Sequence, residues 1–376
     1  MPAKHRFFFF LLIFFLILIL FVEISLRCLL PRNRFYLWPP YRKIIFKPHP
    51  GVMPGVNGYS LFESNSQGVR ADELMNNEKF RILAVGGSTT ECLYIDQKKT
   101  WPYLLQENLK AGYKEKVWVG NIGRSGLSTT ANLIELKYLL PQYEKIDLII
   151  ALVGFNDLQS ALLNLYVKNS LKSDEEKISM TFSLHPLKEK DLFGRCELVN
   201  LFKKIRARCL RKDNEFLEDS AGGWYIGARN ARKNAAQIID ALADMDKNLV
   251  VFEKNIKEII SLAELKGIRL IFLTQPSLWK NGLTNSEKDL LWFGYTQDKR
   301  KYYSIGALMK GLGQFNGRLK KICKEKNIEC IELDTLLPKD TSVFYDDAHF
   351  NESGCRKIAD ILSEYLKENI KPRIKF

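Results

Sequence analysis

The sequence predicts an α/β protein: a parallel sheet covered by helices on both faces, preceded by one membrane-spanning helix. Three observations carry that expectation. From Arg81 onward, short apolar runs alternate with amphipathic helical ones, and the apolar runs end in turns rich in glycine, serine and asparagine. Ahead of them lies an unbroken block of sixteen apolar residues, Phe7 to Val22. Strand–helix alternation points to a parallel sheet because each parallel crossover needs a returning segment, usually a helix, that then covers a face.

The apolar block comes first. Counted on to Leu30, through Glu23, Ser25 and Arg27, it is long enough to cross a bilayer, which takes about 20 residues of helix. No A-x-A-like cleavage site follows it, and Cys28 behind Arg27 does not fit a lipoprotein site, so residues 1–30 read as an uncleaved single-pass anchor rather than a signal peptide. Lys4 and Arg6 precede it, and Arg27, Arg32, Arg34, Arg42 and Lys43 follow. The positive-inside rule alone keeps the large domain in the cytoplasm. A short tail before a long domain is instead the layout of a signal anchor. We follow the second argument, which sets the domain outside the cytoplasm.

Residues 31–78 read as an extended juxtamembrane segment, because six prolines between Pro31 and Pro54 oppose a helix. The main domain is expected over residues 79–376. Its strands are expected at Arg81–Val85, Val117–Asn121, Asp147–Val153, Arg269–Thr274 and Glu329–Leu333; the third is apolar throughout from Leu148, as befits a strand buried on both faces. Helices are expected at Trp101–Lys110 with Thr100 as N-cap, Thr130–Leu140 ended by Pro141, Phe252–Lys266, Phe315–Lys326 and Ser353–Asn369. Residues from about 158 to 247 break the rhythm and read as a mostly helical insertion beside the sheet. Both a lid and plain structural helices fit that stretch.

Composition narrows the function classes. A net charge of +14 suits an anionic membrane surface, an acidic ligand or nucleic acid. Much of the excess lies in runs such as Lys203–Arg211 and Lys320–Lys326, where apolar residues interleave as on solvated helix faces. No zinc-finger spacing, helix-turn-helix or RNA-binding aromatic motif accompanies it, which argues against nucleic acid. Seven cysteines include no CxxC pair. Cys196/Cys209 and Cys323/Cys330 fit either disulfides or buried thiols.

Four features fall at predicted strand ends or before the last helix. The first strand runs into Gly86-Gly87-Ser88, the second into Asn121-Ile122-Gly123-Arg124-Ser125-Gly126, and the third into Gly154-Phe155-Asn156-Asp157; Asp346-Asp347-Ala348-His349 precedes the closing helix. In parallel sheets reactive residues gather at the carboxyl ends of strands. A serine behind two glycines can expose its hydroxyl, although such a sequence is often only a turn. The backbone N–H groups of Ser88 and Gly126, with the Asn156 side chain, can hold an oxyanion, and turn or capping roles fit Gly126 and Asn156 equally when each is taken alone. Asp346 three residues before His349 can orient the imidazole. His5, His49 and His185, the other histidines, lack so well placed a carboxylate.

Together the four blocks resemble the SGNH hydrolases, the GDSL-like esterase superfamily, defined by a serine, a glycine, an asparagine and a histidine in four separated blocks. Ser88, Gly126, Asn156 and the Asp346/His349 pair match them. Asn65-Ser66-Gln67-Gly68-Val69-Arg70 looks like membrane-anchored bacterial members, and Phe350-Asn351-Glu352-Ser353-Gly354 fits the final block. One departure stands out: Gly87 occupies the place of the family's aspartate. The resemblance implies a three-layer α/β/α sandwich, flavodoxin-like, with a five-stranded parallel sheet. It implies a serine esterase with Ser88 as nucleophile, Asp346 and His349 as its partners, and no metal or organic cofactor. The membrane-anchored members suggest O-acyl groups such as acetyl on a cell-envelope carbohydrate as substrate. Transfer of the acyl group to a sugar shares the same first half-reaction, and a non-catalytic envelope scaffold is the reading from another class.

Overall fold

A computed structural model describes residues 3–29, 34–49, 51–75, 77–113, 116–165, 172–185, 222–298 and 300–369, with short pieces between 196 and 217. The main sheet has five strands: β3 (Phe80–Gly86), β4 (Val117–Asn121), β5 (Leu148–Leu152), β8 (Arg269–Leu273) and β10 (Glu329–Ile331). They lie in the order β10-β8-β5-β3-β4, and all four pairings are parallel. This is the expected sheet, with each strand within two residues of its predicted bounds. Strands β3 and β5 are central. Ile82, Leu83, Ala84 and Val85, like Leu148 to Ala151, are wholly withdrawn from solvent, which explains why neither shows a polar alternation.

Helices cover both faces. Trp101–Tyr113 packs on the closing helix Glu352–Asn369 on one side; Thr129–Leu139, Asp246–Leu265 and Ile305–Lys326 pack on one another on the other. Two of these start earlier than expected. The helix expected from Phe252 begins at Asp246, and the one expected from Phe315 begins at Ile305, where the Ser304 hydroxyl accepts the Ala307 N–H at 3.3 Å as N-cap. Thr100 does not cap its helix through its side chain. Its hydroxyl turns back to donate to the Gln97 carbonyl at 2.9 Å.

Residues 34–75 are more than a tether. They carry β1 (Lys43–Phe46) and β2 (Ser60–Glu63), which pair antiparallel, and β1 also pairs in parallel with β6 (Glu215–Leu217). Leu37, Val52, Met53 and Val69 bury into the main core. Arg70 and Asn121 exchange backbone hydrogen bonds of 3.2 and 3.3 Å, so this segment covers the exposed edge of β4. Burial of apolar side chains, which single-residue turn signals do not register, draws the proline-rich stretch onto the domain.

Within the expected insertion, Leu158 belongs to a helix at Phe155–Leu162 that joins the core. Two further helices, Asp174–Thr181 and Gly223–Lys233, and a short strand β7 (Gln237–Ile239) are described; residues 166–171, 186–195, 203–214 and 218–221 lie outside the described residues. The paired strand β9 (Lys301–Tyr303) holds β7 in parallel register. Cys323 and Cys330 are free thiols, and Cys209 of the other suggested pair lies outside the described residues. At the amino terminus, Ala3–Leu29 is one helix, and its Arg6–Leu26 portion is long and apolar enough to cross a membrane.

β5 is the middle strand of the sheet. Truncating Ile150, fully buried between both helical layers, is expected to destabilise the protein by about 2–5 kcal/mol through lost transfer energy and an uncollapsed cavity. Chemical denaturation of the full chain in detergent, Ile150→Ala against wild type, measures it.

Candidate active site

Ser88 opens a four-residue helix, Ser88–Glu91, directly after β3. Backbone crowding leaves no room for a side chain at the first of the two glycines before it, whereas the second faces a side chain that can move. A Cβ at Gly86 would lie 2.4 Å from the Leu152 carbonyl oxygen, and a Cβ at Gly87 only 2.1 Å from the Asn156 amide nitrogen. The ends of β3 and β5 therefore meet closely at Gly86, and the chain turns so that Ser88 stands at the carboxyl edge of the sheet.

His349 reaches that edge from the far end of the chain. Its Nε2 lies 2.7 Å from Ser88 Oγ, and its Nδ1 lies 2.7 Å from Asp346 Oδ2. Asp346 is fully buried and committed to the histidine. Its Oδ1 accepts the backbone N–H groups of Ala348 (3.0 Å) and His349 (2.8 Å), and its Oδ2 also accepts the Trp292 indole N–H at 2.9 Å. The neighbouring Asp347 is occupied elsewhere. Its oxygens accept from the Trp279 indole and from the backbone N–H groups of Trp292 and Phe293 at 2.8–3.1 Å.

The electrostatics follow from burial and these partners. Burial works against a charged imidazole, but the carboxylates of Asp346, Asp347 and, at greater distance, Glu91 outweigh it and hold His349 above the ordinary histidine range. Burial raises the Asp346 carboxyl, yet the facing imidazole and its hydrogen bonds bring it below the ordinary aspartate range. For Asp347, burial and the Asp346 charge outweigh the Arg232 guanidinium and its own hydrogen bonds and push it up.

Aromatic rings fix the imidazole in place. Tyr345 and Trp292 lie nearly parallel to it, with centroids 5.6 and 6.4 Å away, and Tyr225 meets it edge-on at 6.4 Å. Tyr225 comes from the helix Gly223–Lys233, so the insertion supplies a wall of the site. That helix is anchored by Arg229, whose guanidinium donates to the carbonyls of Val52, Leu290 and Tyr345. Tyr225, Trp292 and Arg229 were invisible to motif reading, since none belongs to the four blocks. Tyr345, beside Asp346, was the one with a positional signal.

Asn156 lines a small recess beside Ser88 together with Gly87, Leu127, Val153, Phe155 and Gln275. One N–H of its amide donates to the Leu127 carbonyl at 2.9 Å, which leaves its second N–H for another acceptor. Gly126, in the same loop as Leu127, has φ +79°, a left-handed conformation that favours glycine. The structure thus brings Ser88, His349 and Asp346 into one hydrogen-bonded chain, with Asn156 and the Gly126 loop at its side.

No family model matches the chain, and no curated protein matches it. Among solved structures the chain is similar to a lipase/acylhydrolase from Enterococcus faecalis (15% identity, TM-score 0.41, covering 79% of this chain and 100% of that one). It is similar to a member of the lipolytic G-D-S-L family from Veillonella parvula (14%, TM-score 0.39, 78% and 100%). A third is an acetylxylan esterase from Geobacillus stearothermophilus (12%, TM-score 0.40, 80% and 99%). Likeness at this level leaves the chemistry to be argued from the site itself.

The electrostatics give a direct expectation. In histidine-selective NMR of the full chain, His349 is expected to titrate above about 6.5, the usual histidine value. Asp346→Asn removes the largest raising influence and leaves burial, the strongest single effect, against only Asp347 and Glu91, so the same resonance is expected to titrate below it.

Proposed function

We propose that the protein is a membrane-anchored serine esterase of the SGNH type. The observation that carries this reading is the continuous chain from Ser88 Oγ to His349 Nε2 and from His349 Nδ1 to Asp346, each link 2.7 Å long. In the proposed reaction Ser88 Oγ attacks the ester carbonyl carbon while His349 Nε2 takes the hydroxyl proton. Asp346 holds the tautomer and stabilises the imidazolium. The N–H groups of Ser88 and Gly126 and the free amide N–H of Asn156 receive the oxyanion. The imidazolium then returns its proton to the departing alcohol, and the acyl group remains on Ser88. Water attacks that ester with His349 again as base, and the imidazolium returns the proton to Ser88 Oγ as the bond to the acyl group breaks and the acid leaves.

Two features support a finer reading. The recess beside Ser88 is small and shallow, which suits a short acyl group such as acetyl. The apolar amino-terminal helix suits an enzyme held at a membrane, with its domain outside the cytoplasm and an O-acylated envelope carbohydrate as substrate. A sugar hydroxyl in place of water in the second step would make the same machinery an acyltransferase.

The test is hydrolysis of a short-chain nitrophenyl ester by the full chain in detergent. Ser88→Ala is expected to lower kcat by on the order of 10⁶, and Asn156→Ala by 10²–10³. Gly87→Ala should match Asn156→Ala, because its Cβ displaces the same amide. Wild-type rates in Ser88→Ala would reject the assignment. Only neutral His349 accepts the proton, so activity should fall as pH drops through its raised pKa, with a midpoint above about 6.5. Incubation with acetylated glycan, with mass spectrometry separating free acetate from acetylated acceptor, distinguishes hydrolysis from transfer.

A further inference from the structure

Glu91 lies three residues beyond Ser88 on the same turn and is almost completely buried. Its Oε2 accepts both the backbone N–H of Ser125, at 2.8 Å, and the Ser125 hydroxyl. Ser125 is the residue before Gly126. A carboxylate removed from water is unfavourable unless donors are committed to it. Both of these donors come from the one residue that sets where the Gly126 N–H lies.

The rest of the loop is pressed against the Ser88 turn in the same way. The Asn121 amide donates to the Thr90 carbonyl at 2.8 Å and accepts the Gly123 N–H at 2.9 Å. A Cβ at Gly123 would stand 2.5 Å from the Glu91 backbone nitrogen, and Arg124 N–H donates to the Gly86 carbonyl at 3.2 Å. Glu91 is itself held from behind. The buried Arg70 guanidinium donates to the carbonyls of Glu91, Cys92 (2.8 Å) and Ile95 (2.6 Å). This gives the Asn65–Arg70 stretch a role: it ends in the residue that fixes the exit of the Ser88 turn.

We infer that Glu91 is a positioning residue for the oxyanion site: through Ser125 it sets the Gly126 N–H against Ser88, so the nucleophile and the oxyanion donor move as one body. The inference rests on the esterase reading above. A general structural tether would lower stability or substrate binding; a positioning group acts on the transition state alone.

The experiment compares wild type, Glu91→Ala, Glu91→Gln and Ser125→Ala as full chains in detergent, with a short-chain ester and a trifluoromethyl ketone that forms a tetrahedral adduct. Glu91→Ala is expected to lower kcat ten- to a hundredfold, less than outright loss of a donor, with KM within twofold. Ketone affinity should fall by the same factor as kcat. Glu91→Gln keeps an oxygen acceptor and should recover activity to within about threefold of wild type, while Ser125→Ala keeps the N–H donor and should lose about three- to tenfold in kcat. Unchanged kcat in Glu91→Ala, a kcat loss without weaker ketone binding, or no recovery in Glu91→Gln overturns the inference. Should Glu91→Ala fail to fold, wild-type kcat in Ser125→Ala overturns it instead. An inactive wild type defeats the esterase reading and this inference with it, whereas an active wild type with indifferent variants defeats this inference alone.

Discussion

The carboxyl ends of β3 and β5 approach so closely that position 86 admits no Cβ: the Leu152 carbonyl stands against it, and the Asn156 amide stands over position 87. Much of the site follows from that contact. Because β3 and β5 are adjacent and in parallel register, with Gly86 opposite Leu152, the turns that follow them leave on the same edge. Ser88 and Asn156 are thereby neighbours without any contact of their own side chains being required. Strand β4, on the other side of β3, delivers the Gly126 loop to the same edge.

The fourth block arrives by a different route. No strand carries His349; it sits on a turn between β10 and the closing helix, and side-chain hydrogen bonds must orient it. Two adjacent buried aspartates divide the work. Asp346 holds the imidazole, while Asp347 ties the Trp292–Phe293 backbone and the Trp279 indole. Trp292 links the two, donating its indole N–H to Asp346 and its backbone N–H to Asp347. Paired negative charge without solvent is unfavourable by itself. It is relieved unequally, which is why the Asp346 carboxyl is depressed and the Asp347 carboxyl raised. The raised imidazole is the counterpart of that arrangement: its cationic form, which the proposed reaction passes through, is the form the surrounding carboxylates favour.

What the sequence revealed and what it hid divide along physical lines. The five strands were legible because burial on both faces leaves uninterrupted apolar runs; Ser88 and Asn156 drew notice because each stands in a short block at the end of such a run, and Asp346 and His349 because they form a short block just before the closing helix. Helix starts at Asp246 and Ile305 were not, because tertiary burial and a serine cap extend these helices beyond their clear apolar periodicity. The residues that support the site were hidden for a further reason. Glu91 meets Ser125, Tyr225 meets His349 and Arg70 meets the segment after Ser88 across contacts that no local spacing encodes. The proline-rich stretch after the apolar helix looked like a spacer, yet it buries Leu37, Val52, Met53 and Val69 and seals the edge of β4.

The central claim is that Ser88, primed by His349, is the nucleophile. Its most direct measurement is covalent capture: the full chain is treated with a fluorophosphonate probe, digested, and the modified peptide is sequenced by mass spectrometry. The account predicts stoichiometric modification at Ser88, suppressed in His349→Ala. Modification at another residue, or labelling of Ser88 that is indifferent to His349, would contradict it.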